Sequence, residues 1–119
     1  TPGVPDKPTI YQLTRSYFPH LLQAGVKIYS YTPGFLHAKT WLVDDRIAAV
    51  GTVNLDYRSL YLHFENCCAF YGGHMVRDVL EDVRATLAES HEVTMADVLR
   101  TPLYKWLAQV FLRFFSPLM

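Results

Sequence analysis

His37-Ala38-Lys39-Thr40-Trp41-Leu42-Val43-Asp44, followed by Gly51-Thr52-Val53-Asn54, is the stretch on which both fold and chemistry turn. Histidine, lysine and aspartate fall at the spacing H-x-K-x-x-x-x-D, and a Gly-Thr-x-Asn turn begins seven residues after Asp44 (51 − 44 = 7). Residues 36–43 read as a strand. Side chains on a strand alternate, so His37 and Lys39 share a face that Trp41 and Val43 continue. Asp44 has the opposite parity and stands at the strand end. An imidazole beside an ammonium on a fixed backbone is a preorganised site for an anion such as a phosphoryl group.

The chain around this stretch reads as alternating helices and strands. Ser16 caps a helix carrying Tyr17, Phe18, Leu21 and Leu22, with Gly25 as its stop and Pro19 near its first turn. Residues 26–31 alternate as a strand, and Pro33-Gly34 turns the chain. Asp44-Asp45-Arg46 is a tight turn and residues 47–50 the return strand. Residues 62–70 read as a further strand, ended by Gly72-Gly73. Met75, Val76, Val79, Leu80, Val83 and Leu87 recur at helical spacing. Thr94 or Asp97 caps a short turn. Thr101-Pro102 opens a last helix over 103–115, nearly all apolar, that Pro117 stops. Helices and strands in this order predict an α/β fold, a mixed β-sheet flanked by helices, in one domain over 1–119. The Pro-rich residues 1–8 read as the remnant of a linker in a longer protein. No internal repeat is visible.

What a phosphodiester demands matches the residue types. The site needs a nucleophile, an acid for a poor leaving alkoxide, and positive charge on the non-bridging oxygens. Histidine can fill either of the first two roles because its unperturbed pKa lies near ~6.5. Lys39 supplies fixed charge, Asn54 an amide donor and Thr52 a hydroxyl. Gly51 lets backbone approach closely. No histidine, cysteine or carboxylate cluster has metal-ligand spacing, so phosphoryl transfer without a metal or other cofactor is expected, with lysine doing the electrostatic work.

Composition bounds the class. The 119 residues are 50% apolar and 18% charged, with 11 basic and 11 acidic side chains, so the chain is globular. Zero net charge lacks the basic excess usual in nucleic-acid binders, and no nucleic-acid partner is expected. Adjacent Cys67 and Cys68 would form a strained bridge and read as small buried hydrophobes in a reducing compartment. No apolar run reaches the ~18–20 residues that span a bilayer, and no signal peptide is visible. His20, His63, His74 and His91 have no evident partners and read as surface or packing residues. Tyr57, Arg58 and Tyr61 could line a groove or simply pack, and Trp41 reads as a packing anchor.

The motif resembles one HKD motif of the phospholipase D superfamily, whose sites need two such motifs. Ser16-Tyr17-Phe18, the run 21–29, Pro33-Gly34-Phe35-Leu36-His37-Ala38-Lys39, the run 51–59 and Phe64-Glu65-Asn66 are similar to the second catalytic half of a bacterial cardiolipin synthase. The departures are Trp41, where an aliphatic is usual, and the paired cysteines. The resemblance implies a phospholipase D-like fold and half of a phosphatidyltransferase site. The family joins two phosphatidylglycerol molecules into cardiolipin, with release of glycerol, through a phosphohistidine. It implies His37, Lys39, Asp44 and Glu65 as the catalytic set, with Lys39, Thr52 and Asn54 binding phosphate. Glu65 would hold an imidazole, and Asp44 would chiefly secure the turn. His37 is left as nucleophile or general acid.

Implied partners are phosphatidylglycerol, a membrane surface, and the N-terminal HKD half of the same parent or a second copy. The implied location is the cytoplasmic side of a bacterial cell membrane, with this piece inactive alone. The last apolar stripe can lie in a bilayer interface with Lys105 and Arg113 toward headgroups, or pack on the sheet or the other half. Two other functions fit the same residues: a phosphodiesterase or nuclease acting as a homodimer, and an inactive membrane or interaction domain.

Overall fold

The first helix, α1, spans Pro8–Gln23 in a computed structural model that describes residues 1–116. It begins well before Ser16 because Pro8 occupies the first turn, where the missing N–H costs nothing and the ring presets φ. Pro19 therefore falls in the helix interior rather than near its start. A proline there strips a hydrogen bond from the turn before it. The carbonyl that loses its donor is that of Arg15, and the next one, of Ser16, also accepts from the Arg113 guanidinium.

The chain, read above as one domain, clusters into two units, 37–89 and the residues on either side of it. In the first, α1 is joined by the strand β1 (Ile28–Tyr31), and later by β5 (Ser90–Val93), α3 (Met95–Leu99) and α4 (Leu103–Arg113). β1 and β5 pair antiparallel, with Ile28 opposite Val93. β5 was not legible beforehand, because Ser90-His91-Glu92-Val93 is too short and polar to show a period. Phe18, Ile28 and Val93 form the core, with Leu22 and Val98 packed against it. Thr94 caps α3 and Asp97 closes the box: Thr94 N–H donates to Asp97 Oδ2 at 2.9 Å, and Asp97 N–H returns to Thr94 Oγ1 at 3.3 Å. The first residues are tied to β1. Gly3 N–H donates to Tyr31 O at 2.8 Å, and Tyr31 N–H to Thr1 O at 2.9 Å.

The second unit is a three-stranded antiparallel sheet in the order β2 (Thr40–Val43), β3 (Ile47–Gly51), β4 (Cys67–Tyr71). It is backed by α2 (Gly73–Ala88). Ala48 and Val76 are its fully buried side chains. The α/β expectation holds, with the described strands divided between two small antiparallel sheets, each with its own helices. Asp44 and Asp45 both have positive φ (51° and 52°), and Arg46 N–H donates to Val43 O at 3.0 Å. This is the left-handed pair that suits a tight hairpin, and aspartate tolerates it better than most residues.

Three boundaries differ. The ladder of β2 starts at Thr40, so His37 and Lys39 lie on irregular chain just before it. The segment read as a strand from 62 begins instead with a π-type turn, Arg58–Leu62, closed by His63 N–H to Arg58 O at 2.8 Å. Asp56 starts that turn by accepting from Ser59 N–H at 2.7 Å. Cys67 and Cys68 are exposed free thiols rather than buried hydrophobes: neighbours on a strand point to opposite faces, and neither face of β4 is covered at these two positions. Pro117 lies outside the described residues.

Candidate active site

One end of the three-stranded sheet gathers most of the predicted residues. The register sets Thr40 opposite Val50 and Gly51 opposite Cys67. Lys39, Gly51-Thr52 and Glu65-Asn66 therefore end up side by side on three neighbouring chains. Backbone bonds continue past the ladder: Gly51 N–H donates to Lys39 O at 3.2 Å and Thr52 N–H to Asn66 O at 2.9 Å. Gly51 is required here. A Cβ at this position would lie 2.2 Å from Asn66 O and 2.6 Å from Cys67 Cα. The close approach foreseen for Gly51 is thus made by the neighbouring strand.

Thr52 is the knot of this corner. Its hydroxyl donates to Glu65 Oε2 and accepts from Asn66 N–H at 3.0 Å. The hydroxyl thereby ties Glu65 and Asn66 to the turn after β3. The Thr52 hydroxyl, then that of Ser59, holds the Glu65 carboxyl below its ordinary range, and the Lys39 ammonium acts in the same direction. Glu65 is therefore an anion at neutral pH. Lys39 Nζ donates to its neighbour's carbonyl, His37 O, at 2.8 Å. This folds the lysine back along the strand and fixes its charge next to His37.

One predicted residue stands elsewhere, and another follows the corner by two residues. Asp44 is in the hairpin turn at the far end of β2, five residues from Lys39 and so up to about 16 Å away at ~3.3 Å per residue. Asn54 is exposed, on the irregular chain between β3 and the π-type turn. That chain is tied to β2 by Trp41, whose indole N–H reaches Val53 O at 3.4 Å.

Sequence reasoning missed two contributors. Ser59 is buried, and its hydroxyl bonds Glu65. The Asp56-x-x-Ser59 spacing carried a turn signal, but not the direction of that hydroxyl. His63, read as lacking a partner, accepts from Arg58 Nε at 2.9 Å across the turn.

This corner therefore presents a lysine charge, an ionised and doubly hydrogen-bonded carboxylate, and a histidine two residues from that lysine. Such a set can bind an anionic ester, orient an imidazole and move a proton.

The model of the family described as "Cardiolipin synthase, PLD-like domain" matches residues 1–87. A Bacillus anthracis protein named "Cardiolipin synthase 2" is 41% identical over 118 residues, covering 99% of this chain and 23% of that protein. A Geobacillus kaustophilus protein named "Cardiolipin synthase" is 51% identical over 87 residues, covering 70% of this chain and 17% of that protein. An "Uncharacterized protein" of Streptococcus mutans is 44% identical over 118 residues, or 26% of its length. The chain thus spans about a quarter of the curated relatives it matches over its full extent. No solved structure matches.

Proposed function

The chain belongs to the cardiolipin synthase family of PLD-like domains, and on that premise we propose that it supplies one half of a phosphatidyltransferase site. The observation that carries this reading is the corner where Lys39, Thr52 and ionised Glu65 meet beside His37. A lone half offers one histidine, and the reaction needs two. The other comes from an N-terminal HKD half of the same parent or from a second copy.

The steps follow from the chemistry of the ester. One imidazole nitrogen attacks phosphorus of phosphatidylglycerol, and the bond from phosphorus to the glycerol oxygen breaks. The second imidazole, as imidazolium, gives that oxygen its proton and glycerol leaves. The now neutral second imidazole takes the proton from the terminal hydroxyl of another phosphatidylglycerol. That oxygen attacks the phosphohistidine, the first imidazole is released and cardiolipin forms. Lys39 and Asn54 hold the non-bridging oxygens, whose charge grows toward each transition state. Glu65 steadies an imidazolium, a task that requires the carboxylate form. Asp44, a strand away, keeps the hairpin.

The reading also places the site at a membrane surface, where its lipid substrates lie. The test is lipid mass spectrometry with phosphatidylglycerol in mixed micelles, using this chain alone and together with the upstream half of its parent. Cardiolipin and glycerol are expected only from the mixture. His37→Ala should remove them while the fold stays intact, because loss of such a group costs ~10²–10⁴ or more in rate. No product from the folded mixture, or more than one-hundredth of the unsubstituted rate with His37→Ala, would overturn the reading.

A further inference from the structure

The connection between β3 and β4 holds a cation that no acid answers. Arg58 opens the π-type turn Arg58–Leu62, is exposed, and donates from Nε to His63 Nε2 at 2.9 Å. Arginine has no acceptor, so His63 accepts and keeps its own proton on Nδ1. The ion pairs among the described residues join Arg84 to Asp45, and His91 and Arg100 to Asp97; none uses Arg58. The two acids nearest to it in sequence are already engaged. Asp56 accepts from Ser59 N–H at 2.7 Å, and Glu65 accepts from the hydroxyls of Thr52 and Ser59. The outer edge of the guanidinium, Nη1 with Nη2, has no partner among the described residues.

That edge borders the corner built around Glu65. Ser59, the residue after Arg58, is buried and gives its hydroxyl to Glu65. His63 stands two residues before Glu65, near enough for a protonated ring to act on that carboxylate. Because His63 occupies the Nε side, the guanidinium is open only end-on, through Nη1 and Nη2. Parallel N–H groups at that end match two oxygens of one phosphate, a fit that a lysine ammonium does not offer. A fork already held by His63 also loses less freedom when it binds. The reaction set out above brings two phosphates together. Lys39 and Asn54 answer the reacting one. The acceptor lipid carries its own phosphate, which takes no part in the chemistry and ends one glycerol away from the first.

We propose that Arg58 selects the acceptor: its outer guanidinium edge takes the non-reacting phosphate of the second phosphatidylglycerol, and His63 is the positioning residue that holds it there. This rests on the phosphatidyltransferase reading and deepens it. The site then distinguishes an alcohol that carries a phosphate from one that does not. Either alcohol completes the same step. Its hydroxyl oxygen bonds to phosphorus, the bond from phosphorus to imidazole breaks, and the hydroxyl proton passes to the other imidazole. Arg58 adds binding only where the acceptor brings a second anionic group, so it favours transfer to lipid over transfer to free glycerol.

The test divides one intermediate between two acceptors. This chain, together with the upstream half of its parent, is given phosphatidylglycerol in mixed micelles with isotope-labelled glycerol in the water. Transfer to glycerol returns labelled phosphatidylglycerol, and transfer to lipid gives cardiolipin; mass spectrometry reads both. Arg58→Gln should lower the ratio of cardiolipin to labelled phosphatidylglycerol by roughly 10-fold or more, while the labelled exchange stays within about threefold. That retained exchange shows in the same sample that the variant folds. Arg58→Lys should recover part of the ratio, because the charge remains and the fork is lost. His63→Leu should lower the ratio in the same direction and by less, and an unaffected ratio would remove His63 from this role. An unchanged ratio with Arg58→Gln overturns the proposal, whether both products persist or fall together, since a structural role or a hold on the reacting phosphate moves both alike. Neither product from the unsubstituted mixture would instead sink the phosphatidyltransferase reading, and the inference with it.

Discussion

Gly51→Ala is the substitution whose effect can be worked most fully from the geometry. An added Cβ would sit 2.2 Å from Asn66 O, 2.5 Å from Cys67 Cβ and 2.6 Å from Cys67 Cα. Two of these three atoms are backbone, so no side-chain rotation relieves the clash. Restoring an ordinary contact of 3.4 Å to Asn66 O needs a movement of about 1.2 Å (3.4 − 2.2) between neighbouring strands. The bonds Thr52 N–H to Asn66 O (2.9 Å) and Asn66 N–H to Thr52 Oγ1 (3.0 Å) span that same gap. Stretched by that much they are lost, at about 1 kcal/mol each. Residual strain of about 1–3 kcal/mol brings the total to roughly 3–5 kcal/mol. That is a large part of a typical ~5–15 kcal/mol stability. Urea unfolding is the assay. With m near ~1.5 kcal/mol/M the midpoint should fall by roughly 2 M or more. The control is Gly34→Ala, because a Cβ there meets nothing within 4 Å and the backbone is not left-handed. It should be neutral or stabilising by up to ~1 kcal/mol, through the unfolded chain. A Gly51→Ala midpoint indistinguishable from that of Gly34→Ala would refute the packing argument.

Other expectations follow from the same contacts. Asp45→Ala should cost about 1 kcal/mol in thermal unfolding, since alanine keeps the left-handed cost without aspartate's local hydrogen bonding, whereas Asp45→Gly should be no less stable than the original. The 3.7 Å Arg84–Asp45 pair lost in both is largely exposed and is worth ~0–1 kcal/mol, so equal melting of the two variants would contradict the turn geometry. The Thr94 side chain, then its backbone N–H, draws the Asp97 carboxyl from 3.8 down to about 2. A depressed acid stabilises above its unfolded pKa and loses that contribution as pH falls through the folded value, so melting temperature should drop between about pH 4 and 2. Thr94→Ala should cost about 1 kcal/mol at neutral pH and flatten that acid limb; an unchanged limb would show that the box does not hold Asp97. Glu65→Gln keeps the shape of the side chain and removes its charge, so kcat of the assembled enzyme should fall by ~10² or more with folding intact. A kcat within threefold of the original would exclude Glu65 from the reaction.

Much of this was legible in the residues alone. The spacing from His37 to Asp44 and the turn at Gly51 reported the family, which the comparisons show. The α2 stripe from Met75 to Leu87 and the Asp44-Asp45 hairpin were legible because local periodicity and turn chemistry are written in neighbouring residues. The start of α1 was misjudged because Ser16 and Pro8 both offer an opening, and sequence alone does not rank them. Polar β5 carries no period, and it exists because β1 has an edge to fill.

Other features were decided only when distant parts of the chain met. The Thr52 hydroxyl meets the Glu65 carboxylate because 52 and 65 face each other across β3 and the approach to β4. The cysteines are exposed because neither face of β4 is covered at their positions, and what covers a strand is not a property of the strand itself. The α4 stripe was a stripe from the start, but which side of it is covered depends on the hydrogen bonds of Gln12, Ser16 and Tyr17, nearly a hundred residues earlier. Sequence thus determined the groups available and their local spacing, since both are carried by covalent connectivity. Tertiary structure decided which groups satisfy one another, because a hydrogen bond given to one partner is withheld from every other.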